Sequence, residues 1–213
     1  LTKATFRMTP GNAAEVIRKA LKICREEYPG PVHIGLPSDI AGYEAEPASE
    51  FTAIEDSIAC SNDTDNIISL LEKSRKPLIA AGLTSARYAI GSKLTGFLDK
   101  NKIPVVLTPM AKGLLPENHP CYAGVLFHAL SDYMEDIFRE TDLVIGLGYD
   151  PVEYNYESWM PDVPLVIFNT IETDLPERSR VSRFTGHPDE GFSILSRIDN
   201  GSSVFTRSAV KAV

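Results

Sequence analysis

KPLIAAGLTSARYAIGSKLTGFLDKNKIPVVLTPMAKGLLPENHP, residues 76–120, decides how this chain is read. An apolar run, Leu78 to Ala81, ends at Gly82. A helical segment follows, with apolar positions at Ala86, Ala89, Ile90, Leu94, Phe97 and Leu98 and with Ser85 as its expected cap. Gly91 and Gly96 fall inside it and are expected to allow close packing of the helix on a sheet. A second apolar run, Val105 to Leu107, then opens a loop rich in Gly and Pro. This is a strand–helix–strand unit. Parallel strands need such a crossover, which is nearly always right-handed. Ligands of open parallel sheets bind beyond the carboxyl ends of the strands, where Gly82 to Ser85 and Thr108 to Gly113 would lie.

Further along, Leu143 to Leu147, Leu165 to Phe168 and Val181 to Thr185 read as further strands. The apolar runs are too unbroken for half-exposed antiparallel strands, so the expected fold is α/β with a doubly wound, mostly parallel sheet. Asp63 or Asn62 can cap a helix carrying Ile67, Ile68, Leu70 and Leu71. Residues 129–140 are expected to be helical, 108–124 a loop, and 149–161 irregular, aromatic and acidic. Asp189 is expected to cap a last helix through Phe192, Leu195 and Ile198. Before the main domain, Thr9-Pro10 reads as a helix start and Val32 to Leu36 as a strand. A helix and one strand make no sheet, so residues 1–40 read as the tail end of a preceding domain. Residues 41–61 read as a linker, 62–199 as the main domain and 200–213 as a mobile tail.

The chain has 213 residues, 43% of them hydrophobic, enough for a real core. Its net charge of −8, with no basic patch, argues against nucleic acid as a partner. No apolar run reaches the roughly 20 residues that span a bilayer, so no membrane association is expected. No signal peptide is read, and a cytoplasmic location is expected. The start at Leu1, without methionine, suggests a chain cut from something larger. Cys24, Cys60 and Cys121 are scattered and read as idle or buried thiols, not metal ligands.

Gly82 and Gly148 each follow a strand, where glycine admits either a ligand or a tight turn. Gly146-Leu147-Gly148 is a lone GxG, short of the dinucleotide fingerprint. Residues 169–174, NTIETD, could hold a ribose hydroxyl or form a solvated acidic turn. Lys112, His119 and His128 flank the central loop, but no nucleophile accompanies them, so no catalytic residue is assigned. Tyr149, Tyr154, Tyr156 and Trp159 read as an interface patch.

As a set, four segments resemble thiamine-diphosphate enzymes such as acetolactate synthase. GPVHIGLPSDI (30–40) is similar to the close of their N-terminal, pyrimidine-binding domain. KPLIAAG (76–82), IPVVLTPMAKGLLPENHPCYAG (103–124) and TDLVIGLGYDPVEYNYESW (141–159) look like successive blocks of their central domain. GYDPVEY with Trp159 is most like the flavin-independent, catabolic acetolactate synthases. The resemblance implies a Rossmann-like central domain between two missing domains of the same chain, in a dimeric or tetrameric parent. Thiamine diphosphate and Mg2+ would bind those missing domains, since this chain has no GDG motif and begins too late for the activating glutamate. It also implies a cleft that holds FAD or ADP in some members. Carried over by position, its contacts would be Gly82, Leu83, Thr84, Thr108, Pro109, Met110, Gly148, Asn169, Thr170, Ile171 and Glu172. Flavin-bearing members tend to have more glycine where this chain has Ala80-Ala81-Gly82-Leu83, and glycine after the histidine where it has His128-Ala129, so an ADP-type or vestigial site is expected. The rival readings are a free-standing nucleotide-binding module and a purely structural interface domain.

Overall fold

Pro77–Ala81 is buried at all five positions and forms an interior strand of a seven-stranded sheet. This computed structural model describes residues 2–26, 29–45, 61–126, 134–153, 160–173 and 180–198. The chain divides into two units, Leu1–Ser57 and Ile58–Val213.

The first unit is strand–helix–strand, not the expected helix and strand. Strands β1 (Ala4–Arg7) and β2 (Val32–Gly35) pair in parallel, from Ala4 opposite Val32 to Arg7 opposite Gly35, with α1 (Ala13–Arg25) between them. β1 has four residues of mixed polarity, too short a run for periodicity to mark. The helix also starts later than Thr9-Pro10. The Thr9 N–H donates to Asn12 Oδ1 at 2.6 Å, and the turn so closed delays the helix to Ala13.

The second unit opens with β3 (Ser61–Asn62), which straddles the expected boundary between linker and main domain, followed by α2 (Thr64–Lys73) and β4 (Pro77–Ala81). Then come α3 (Leu83–Arg87), α4 (Gly91–Asn101), β5 (Val105–Leu107) and β6 (Tyr122–Val125). The unit continues with α5 (Glu135–Glu140), β7 (Leu143–Leu147), β8 (Leu165–Asn169), β9 (Val181–Thr185) and α6 (Pro188–Leu195). The sheet order is β3-β9-β8-β7-β4-β5-β6; the six strands from β9 to β6 run parallel and β3 is an antiparallel edge. The doubly wound reading therefore holds, with two edge strands added.

Strand alternation builds two cores. Ile79, Ala81, Ile145, Leu147 and Phe168 face one side, where they meet Ile67 and Leu71 of α2, Leu94 and Leu98 of α4, and Leu195 of α6. Leu78, Ala80, Val144 and Ile167 face the other, against Ile137 and Phe138 of α5. At the amino end of the sheet the Asp142 carboxylate ties β4 to β7. It accepts from Ser74 Oγ (2.5 Å) and from the N–H groups of Arg75 (2.8 Å) and Lys76 (3.1 Å).

Several boundaries differ from expectation for local reasons. The helix expected from Ser85 is two helices, broken at Ala89, whose φ of +51° is left-handed. Ser85 is inside α3, and its Oγ donates to Leu147 O at 2.6 Å. The loop 108–124 contains a 3-10 turn (Pro109–Ala111) and most of β6. His187, not Asp189, caps α6: its Nδ1 accepts the Asp189 N–H at 3.2 Å. Of residues 129–140, 129–133 lie outside the described residues, and α5 covers the last six.

Close packing explains one helix glycine and not the other. A Cβ on Gly91 would lie 2.7 Å from Leu114 O, whereas one on Gly96 would meet nothing within 4 Å. Gly96→Ala should stabilise the chain by about 0.5–1 kcal/mol, and Gly91→Ala should destabilise it by about 1–3 kcal/mol. Urea titration of both variants checks the pair, and equal signs would refute the packing account.

Candidate functional site

The strand order reverses at β4: the chain continues to β5 on one side, and β7 adds on the other. The crevice beyond the carboxyl ends of β4 and β7 is where a sheet of this kind receives a ligand. Gly82, Leu83 and Thr84 lie at the end of β4, Thr108 follows β5, Gly148 follows β7, and Asn169 and Thr170 end β8. The structure brings these seven to one edge. Pro109 and Met110 lie on the exposed 3-10 turn, Met110 being 57% exposed. Ile171 is half-buried and Glu172 exposed; Asp174 lies outside the described residues.

Every donor of the first turn of α3 is already used. The Leu83 N–H donates to both oxygens of Glu153 (2.8 and 3.0 Å), the Thr84 N–H to Gly148 O (3.3 Å) and the Ser85 N–H to Gly82 O (3.1 Å). Glu153 comes from the 3-10 turn Pro151–Glu153 just after β7. Its carboxylate also accepts from Thr108 Oγ1 at 2.7 Å and from the Asp150 N–H at 3.2 Å. One side chain thus ties together the loops after β4, β5 and β7. Residue-by-residue reading missed it, because DPVE carries no motif that announces where its carboxylate goes.

The two glycines serve this closure. A Cβ on Gly82 would lie 2.4 Å from Gly148 O, 2.6 Å from Tyr149 Cα and 2.7 Å from Glu153 Oε1. Gly148 has φ +55°, and a Cβ there would lie 2.4 Å from the Ser85 nitrogen. Between tight turn and ligand approach, the contacts at both positions are chain against chain.

At the carboxyl ends of β7 and β8 a crevice of about 280 Å³, open solvent included, is lined by Thr84, Ser85, Gly148, Asn169, Thr170 and Gly186 among others; Glu153 is not in its lining. Asn169 is committed to the backbone: its Nδ2 donates to Tyr149 O at 3.2 Å and its Oδ1 accepts the Thr170 N–H at 2.9 Å. Thr170 Oγ1, buried in the crevice wall, has no hydrogen-bond partner among the described residues.

Burial pushes the Glu153 carboxyl above its ordinary value; the hydrogen bonds from Thr108, Leu83 and Asp150 oppose this and only reduce it. The folded state therefore holds this proton more tightly than the unfolded chain. Stability from this group is fully present below the ordinary glutamate range and is lost as pH rises through the raised value. Glu153→Gln should flatten the fall of melting temperature across that window; an unchanged slope would assign it to other groups.

The other candidates do not converge. His119 lies just before β6, where the strands begin; its Nδ1 accepts the Cys121 N–H at 3.1 Å, and its Nε2 is 3.6 Å from Asp99. Lys112 pairs with Glu117 at 3.4 Å on the surface. His128 lies outside the described residues. Cys121 is buried, which raises its thiol, and Cys24 is half-buried; Cys60 lies outside the described residues. Tyr149 is completely buried, so it belongs to the core and not to an interface patch. Tyr154, Tyr156 and Trp159 lie outside the described residues.

A family profile described as thiamine pyrophosphate enzyme, central domain, matches residues 64–183. The chain belongs to this thiamine pyrophosphate enzyme central-domain family. A Mycobacterium tuberculosis protein named as an acetolactate synthase large subunit, IlvB2, is 28% identical over 183 residues, 81% of this chain and 33% of that protein. Pyruvate decarboxylase isozyme 1 of Saccharomyces cerevisiae is 27% identical over 137 residues, 61% of this chain and 24% of that enzyme. Benzoylformate decarboxylase from Polynucleobacter necessarius shares the fold, with a TM-score of 0.68 at 18% identity, over 92% of this chain and 38% of that one. The chain thus spans a quarter to a third of the curated relatives it matches.

No group of three or more His, Cys, Asp or Glu among the described residues could hold a metal ion, and the sequence has no GDG. The expectation of FAD or ADP at this edge is not supported: the Leu83 N–H and Thr108 Oγ1 already donate to Glu153. No helix among the described residues is long and apolar enough to cross a membrane.

Proposed function

We propose that this chain is the middle of a larger thiamine-diphosphate-dependent enzyme acting on a 2-oxo acid such as pyruvate: decarboxylation first, then transfer of the two-carbon unit. The family match over residues 64–183, in a chain that spans only 33% and 24% of two such relatives, carries the reading. Thiamine diphosphate and Mg2+ bind domains on either side, and the parent is a cytoplasmic homo-oligomer. The role of this segment is to hold those domains in place. Tied loops at the ligand edge suit a rigid spacer, because each cross-link between strand ends removes a way for the edge to open.

The reading frame on both sides is the first test: an upstream domain bearing the activating glutamate and a downstream GDG motif are expected. The full-length product, given pyruvate, thiamine diphosphate and Mg2+, should release CO2 and form acetolactate. This chain alone should release none. Sustained CO2 release by the isolated chain would overturn the scaffold role, and an inert full-length product would overturn the parental activity.

A further inference from the structure

We propose that Glu153 is the built-in occupant of the junction between the loops after β4, β5 and β7, an internal anion that closes this junction to nucleotides and other external anions. Three loops converge on its carboxylate. Leu83 N–H (2.8 and 3.0 Å), Asp150 N–H (3.2 Å) and Thr108 Oγ1 (2.7 Å) all donate, and none of the four contacts asks the carboxylate for a proton. Such a set holds an anionic oxygen pair by charge-assisted bonds and offsets part of what its burial costs. The surrounding backbone is shaped to it: Gly82 has no room for a Cβ, which would lie 2.7 Å from Glu153 Oε1. The side chain is also local. It stands six residues after the end of β7, so no rearrangement of the sheet is needed to deliver it. A covalently attached carboxylate pays no translational entropy on binding and outcompetes a free anion at ordinary concentrations. Glu153 is therefore a specificity residue acting by exclusion, a role independent of what the parent catalyses.

Chemical rescue tests this on the full chain. Wild type should melt at the same temperature in formate as in chloride at equal ionic strength, and should give no heat of binding with ADP. Glu153→Ala leaves the donors aimed at an empty position. Its melting temperature should fall and then rise saturably with formate, by about 3–6 °C at tenfold excess over the dissociation constant. An alanine variant indifferent to formate, or a wild type that responds equally or binds ADP, would overturn the proposal. Should the alanine variant fail to fold, Glu153→Gln decides, since it keeps the volume and removes the charge. Below the titration range of Glu153 it should melt at least about 2 °C below wild type, with a smaller gap above that range, and it should gain nothing from formate. Melting level with wild type would show the carboxylate to be mere filler.

Discussion

Gly82→Ala lowers the melting temperature by about 6–12 °C, which corresponds to about 3 kcal/mol in a chain of this size. The added methyl would lie 2.4 Å from Gly148 O and 2.6 Å from Tyr149 Cα, both backbone atoms. Side-chain rotation cannot relieve either contact. The loops after β4 and β7 must separate instead. Gly82 N–H then draws away from Leu147 O (3.0 Å), and Leu83 N–H from Glu153. Overpacking a filled site typically costs about 1–3 kcal/mol, and loss of these bonds adds to it. Thermal unfolding followed by circular dichroism measures the effect. If the glycine were instead there to admit a ligand, alanine would leave the melting temperature of the unliganded chain unchanged, and the interpretation of the loop junction at Gly82 as self-filled would fail.

Tyr149→Ala destabilises by about 3–5 kcal/mol, the range for removing a large buried aromatic side chain. Tyr149 has no exposed surface and packs in the core with Ala80, Val144, Met160 and Ile167. Its carbonyl also receives Asn169 Nδ2, so disorder at this position spreads to the end of β8. Denaturant titration should show a lower midpoint, with the oligomeric state of the surviving native protein unchanged in sedimentation. A native-like midpoint with weakened self-association would restore the interface reading.

How much was legible follows from what kind of signal each feature leaves. β4, β7 and β8 are buried on both faces, and continuous apolar runs announce them. β6 was lost in a loop rich in turn formers, because a four-residue edge strand, Tyr122–Val125, presents too few positions for a period. β1 and β3 escaped for the same reason. The long helix was divided because Ala89 adopts a left-handed conformation that alanine's own preference would not predict.

The candidate site shows the same division. Glycines at strand ends pointed to the right edge of the sheet, since Gly82 and Gly148 stand where close approach is needed. What approaches them is another part of the chain. Local sequence by itself determined the long buried elements: which runs are buried, that their strands are parallel, and that their carboxyl ends make a crevice, because periodicity and crossover length are properties of short segments. Only the tertiary structure decided what closes the loops at that edge. Glu153 and Leu83 are 70 residues apart in sequence and 2.8 Å apart in space. Their contact depends on β4 and β7 lying side by side, a pairing set by the whole sheet and carried by neither segment alone.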